Sequence, residues 1–107
     1  MIPGKEVEIG GTKYTLPPLN IPSLRKHEAL LNKGAAFAAG GLIPSATDIL
    51  EMTQIVEESF KRNYPAVNFA EKIEEHLDIE KVTECFTAIM VAGSAGPRTG
   101  ESKPASP

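Results

Sequence analysis

Polar and apolar residues alternate over Glu6-Val7-Glu8-Ile9 and again over Thr12-Lys13-Tyr14-Thr15-Leu16, with Gly10-Gly11 between the two runs. A period of two is that of a half-buried strand. Two consecutive glycines suit a primed two-residue turn, whose central residues both need positive φ. The pattern predicts a β-hairpin over 5–16, with Val7, Ile9, Tyr14 and Leu16 on one face and Glu6, Glu8, Lys13 and Thr15 on the other. Pro17-Pro18 stops the second strand, because proline has no amide to donate to a ladder. A lone hairpin is marginal in water, so this one must pack on helices or pair with another chain. Its exposed edge is the first candidate for an interaction.

The period then changes to that of helices. Ser23 is placed to cap a helix over about 23–33 that carries Leu24, Leu30 and Leu31 and ends near Gly34. The run from Ala35 to Pro44 mixes helix-favouring alanines with the breaking pair Gly40-Gly41, and reads as a short helix plus a mobile apolar loop. Ser45-x-x-Asp48 is a capping box ahead of a long helix over 46–63, with Ile49, Met52, Val56 and Phe60 at helical spacing. Pro65 ends it and pushes Tyr64 out of the α region. Asn68-x-x-Glu71 opens a helix over 69–77 with Phe69, Ile73 and Leu77 on one face. Asp78 caps a last helix over 79–92, whose stripe is Ile79, Val82, Phe86, Ile89 and Met90. The fold class is therefore α+β: an N-terminal hairpin followed by a small domain of three to four helices.

Composition sets the bounds. The chain has 107 residues, 41% of them hydrophobic, which is one domain's worth of material with enough apolar side chains for a core. From Gly93 onward the residues are Gly, Pro, Ser, Ala and charge, which cannot offset the entropy of ordering. The expectation is a folded domain over 1–92 and a disordered tail over 93–107. Residues 1–34 carry five basic and three acidic side chains, a net of +2, whereas 45–92 carry four basic and ten acidic, a net of −6. A single cysteine excludes an internal disulfide and a four-cysteine zinc site. No apolar run approaches the roughly 20 residues that span a bilayer, and the start of the chain lacks the basic and apolar segments of a signal peptide. The expected setting is a reducing, cytoplasmic one, with no membrane partner.

Chemistry-bearing residues are few. Gly96 to Lys103 glances at a phosphate-binding loop, but lysine does not follow the second glycine directly, and no strand precedes it. Cys85 sits mid-helix beside Phe86 and Glu84, an apolar and acidic setting that fits a buried, inert thiol. His27 and His76 fall on different helices with no metal-ligand spacing, and read as surface or helix-end histidines. The acidic residues Glu71, Glu74, Glu75, Asp78 and Glu80 lack the alternation and central glycine of a calcium loop, and read as a solvated face. No nucleophile elbow or triad is present. The reading is therefore no enzyme, with no catalytic residue, no cofactor, no metal and no small-molecule substrate. Arg25-Lys26 and Lys61-Arg62 are the only basic pairs of the folded part, and the acidic C-terminal half opposes a phosphate backbone, so nucleic acid is not an expected partner.

Two stretches carry a family resemblance. Gly11 to Arg25, with Gly11, Tyr14, Leu16, Pro18, Leu19, Leu24 and Arg25 at their positions, resembles the opening of tail assembly chaperones from long-tailed bacteriophages. Ile55 to Val67, with Ser59, Phe60 and Arg62-Asn63-Tyr64-Pro65, resembles a second segment of that family, followed here by the capped acidic helix from Asn68 and the final helix from Val82 to Met90. The resemblance implies a non-enzymatic protein of phage or prophage origin. Such a protein coats the tape-measure protein, keeps it soluble until tail-tube subunits polymerise around it, and is absent from the mature virion.

A coat of this kind needs many weak, reversible contacts. Phe37, Leu42 and Ile43, in their glycine-flanked setting, are candidates for a mobile apolar contact surface, or else complete the core. Tyr14, Arg62 and Tyr64 join them as candidate partner-binding residues. The hairpin edge and the charge asymmetry between halves predict homo-oligomers by head-to-tail contact. Two other readings remain open: a structural head–tail or tail completion protein, and a small bacterial adaptor domain.

Overall fold

Gly10 and Gly11 adopt φ of 60° and 83°, the positive values of a primed turn. The structure, a computed structural model, describes residues 1–94. Strands β1 (Lys5–Ile9) and β2 (Thr12–Leu16) pair antiparallel, with Val7 opposite Tyr14 and Ile9 opposite Thr12. Val7, Ile9 and Leu16 are buried and Tyr14 half-buried, while Glu6, Glu8 and Lys13 are exposed. The alternation in the sequence thus sets which face meets the core. A side chain at Gly10 would also collide with the His76 ring, which lies 2.8 Å from where its Cβ would be.

Six α-helices follow within the described residues: α1 (Ile21–Lys26), α2 (Glu28–Leu31), α3 (Gly34–Ala38), α4 (Ala46–Asn63), α5 (Phe69–Lys72) and α6 (Ile79–Ser94). A single 3₁₀ turn, Glu74–His76, joins α5 to α6. The capping box of α4 is complete, with the Asp48 amide donating to Ser45 Oγ at 3.1 Å and the Ser45 amide to Asp48 at 3.0 Å. Asp78 caps α6 by accepting from the Lys81 amide at 2.8 Å. Tyr64 closes α4 at φ −130°, ψ 59°, outside the α region that its following proline disfavours.

β1 lies mainly over α6 and β2 mainly over α4, and these two long helices pack on each other. The core between them holds Val7, Ile9 and Leu16 from the hairpin, Met52, Ile55, Val56 and Phe60 from α4, and Val82, Cys85, Phe86 and Ile89 from α6. Phe69 and Ile73 close one end.

Five expectations need correction. The helix over 23–33 is two short ones, because His27 leaves helical geometry at φ −111°, ψ 18°. Ser23 is not its cap. Pro22 fits the first turn, where its missing amide costs nothing, so the helix starts earlier and Asn20 accepts from the Ser23 amide at 3.1 Å. The helix over 69–77 ends at Lys72 and tightens into the 3₁₀ turn, with Leu77 extended. Ile79 does not join the buried stripe of α6, and that helix continues to Ser94 rather than ending at 92. The remainder of the predicted tail lies outside the described residues, as does the stretch that glances at a phosphate loop.

Candidate functional site

Arg62, Asn63 and Tyr64 stand at the end of α4, directly beneath the hairpin's exit. Their polar atoms are turned to the backbone of the chain itself. The Thr15 amide donates to the Tyr64 hydroxyl at 2.8 Å, and the Asn63 side-chain amide donates to the Thr15 carbonyl at 3.0 Å. Asn63 also exchanges two hydrogen bonds with Ile2, at 2.7 and 2.9 Å. The Arg62 guanidinium donates to the Pro18 carbonyl, and buried Ser59 donates to that of Pro17 at 2.7 Å. The ring of Tyr14 stands edge-on to Phe60 at 5.1 Å and to Tyr64 at 5.3 Å, while Phe60 and Tyr64 stack at 4.7 Å. So Tyr14, Arg62 and Tyr64 are brought together, and what they hold is the hairpin on α4.

Phe37, Leu42 and Ile43 differ in exposure. Phe37 is half-buried on α3 and packs against the core, while the Gly34 backbone of that helix comes close enough that a Cβ would touch Phe86 at 3.6 Å. Leu42 and Ile43 follow the turn at Gly40 (φ 78°) and are 42% and 87% exposed. Ile43 forms one wall of an open apolar groove of about 480 Å³, together with Pro44, Ala46, Ile49, Leu50 and Ile79. Leu50 is 71% exposed and Ile79 66%. The capping box sets where α4 begins and the Asp78 cap where α6 begins, so two helix starts bring these aliphatic residues side by side.

Leu50, Ile49 and Ile79 were not singled out as surface residues by sequence pattern. The signal is present in Leu50, which falls outside the Ile49-Met52-Val56-Phe60 stripe and so has no place in the core. Large aliphatic side chains this exposed, and contiguous, mark an interaction surface more often than an accident of packing.

A second polar feature was also missed. His27 is 2% exposed, not a surface residue. Its Nδ1 lies 2.9 Å from Glu51 and its Nε2 3.1 Å from Glu58, and Lys26 pairs with the other Glu58 oxygen at 2.8 Å. Each ring nitrogen thus faces a carboxylate oxygen of α4. Burial acts to raise the Glu58 pKa, but hydrogen bonds from Lys26, Ser23 and His27 outweigh it and hold the carboxyl below its ordinary value. The arrangement pins the α1–α2 junction to α4. Cys85 is buried, and loss of solvent, with Glu84 adding, pushes its thiol up to about 11. Among the described residues, no group of three or more His, Cys, Asp or Glu is placed to hold a metal ion, and no helix is long and apolar enough to cross a membrane.

Compared with protein-family models, with curated proteins and with solved structures, the chain matches none of them.

Proposed function

We propose that this chain is a non-enzymatic tail assembly chaperone of the long-tailed phage type, working in the cytoplasm of the host bacterium. It binds the tape-measure protein, keeps it soluble and hands it to tail-tube subunits. The observation that carries this reading is the open apolar groove of Ile43, Leu50 and Ile79. Apolar surface that stays exposed in the folded chain gives the weak, repeated contacts by which a holdase coats a long partner. The residues resembling the family's Arg-Asn-Tyr-Pro segment support the reading by building the scaffold, since they fix the hairpin to α4. Copies line up through the contrast between the basic first third and the acidic remainder.

The test is co-expression with the tape-measure protein that this reading requires to be encoded just downstream. Solubility of that protein only in the presence of this chain, lost when Leu50→Ser and Ile79→Ser are introduced together, is the expected result. A downstream protein that is soluble alone and does not co-purify overturns the reading. Recovery of this chain in finished particles points instead to a structural tail component.

A further inference from the structure

The two edges of the hairpin are treated differently. With a two-residue turn and Ile9 opposite Thr12, the pairs Ile9–Thr12, Val7–Tyr14 and Lys5–Leu16 exchange the ladder bonds. The peptide groups of Glu6, Glu8, Lys13 and Thr15 therefore point outward. On β2 the chain closes its own edge at Thr15, which gives its amide to Tyr64 and accepts at its carbonyl from Asn63, while Lys13 beside the turn has no such partner among the described residues. On β1 the outward amide and carbonyl groups of Glu6 and Glu8 have no partner among the described residues.

Charge decides what fits there. Glu6 and Glu8 are exposed on one face of β1, and neither has an ion-pair partner among the described residues. Lys81 of α6 acts on Glu8 at longer range, but its ammonium is held by Glu84 at 3.0 Å. A second copy pairing antiparallel through β1, centred on Val7, places Glu6 opposite Glu8 twice, and a parallel pairing in register sets each glutamate beside itself. Like charges across a ladder are destabilising. A strand with cations at alternate positions instead repeats the Glu8–Lys13 pairing already present inside the hairpin.

We propose that the free edge of β1 is a strand-addition site for an extended segment of another protein carrying Lys or Arg at alternate positions. Main-chain bonds to Glu6 and Glu8 hold the segment, and the two carboxylates select its charge. The site is separate from the apolar groove and stands whether or not the chaperone reading does. Self-association, where it occurs, runs through other surfaces.

The experiment uses the full chain, isotope-labelled, and two synthetic hexapeptides, Thr-Lys-Val-Lys-Val-Thr and Thr-Glu-Val-Glu-Val-Thr. The lysine peptide slows amide exchange at Glu6 and Glu8 and binds at least about tenfold tighter than the glutamate peptide at low ionic strength. The paired reversal Glu6→Lys and Glu8→Lys inverts that preference. Should this variant fail to fold by circular dichroism, Glu6→Gln with Glu8→Gln removes the discrimination between the peptides. No slowing at Glu6 and Glu8, equal binding of the two peptides, or a preference that survives the substitutions overturns the proposal. So does slowing that grows with the concentration of the chain alone, which assigns the edge to a second copy.

Discussion

The amide of Thr15 and the hydroxyl of Tyr64 are joined by a 2.8 Å hydrogen bond that spans 49 residues of sequence. It closes a sheet edge with a side chain and secures the hairpin to the end of the longest helix. Replacing Tyr64 with Phe keeps the stack on Phe60 and deletes this bond together with a weak, exposed contact from the hydroxyl to Met1 Sδ at 3.9 Å. The expected loss is about 1 kcal/mol, or a fall of about 4–8 °C in Tm for a domain of this size. Thermal melts of the two proteins, at equal concentration, measure it.

His27 is held from both sides by α4. His27→Ala takes the shared partner from the Glu51 and Glu58 carboxylates and empties a buried position, and is expected to cost about 1–3 kcal/mol. His27→Gln, which retains a donor, recovers part of that loss. Urea unfolding of both variants checks the order. Equal stabilities for alanine and glutamine would mean that ring packing, not the carboxylate contacts, holds the junction.

Acid acts on two carboxyls. Glu58 sits below the ordinary 4.5 for the reasons given above, and Asp48 sits below 3.8, chiefly because it accepts from the Ser45 amide, with Lys33 adding to this against slight burial. Both folded-state pKa values lie below those of the unfolded chain. Their stabilisation is therefore full above about pH 5 and is lost as pH falls through and below 4.5. Urea midpoints are expected to be flat from neutral to about pH 5.5 and to drop beneath it, and Glu58→Gln should shallow that drop.

Cys85, with its thiol pushed up to about 11 inside the core, should resist iodoacetamide in native buffer at pH 8 and react fully in denaturant. Mass spectrometry of the two samples separates these states. Labelling of the native chain at the rate of a free thiol would show that α6 opens from the core.

Much of this architecture is legible in the residues. The hairpin, its face and its turn follow from alternation and a glycine pair, and α4 follows from a capping box and a stripe. The break at His27 is hidden because Leu24, Leu30 and Leu31 are spaced as on one helix, and nothing local marks the junction. Its burial is set by Glu51 and Glu58, seven residues apart and so on one side of α4 after two turns. That pairing exists only once the helices meet. Tyr14, Arg62 and Tyr64 stand among the candidate partner-binding residues, but the backbone atoms that Arg62 and Tyr64 bond lie far along the chain, which no side-chain pattern encodes. The groove was half visible: Ile43 stood out, whereas Leu50 and Ile79 read as members of helices rather than as neighbours.

Asn63 ties Ile2 and Thr15 to the end of α4, across 61 and 48 residues. Hairpins form within about 1–10 μs but do not last alone, so this one is captured only when a helix made much later in the sequence has docked. The hairpin is therefore expected to dock late in folding. Weakening the tie with Asn63→Ala should quicken unfolding while leaving the refolding rate nearly unchanged, the mark of a contact made after the transition state.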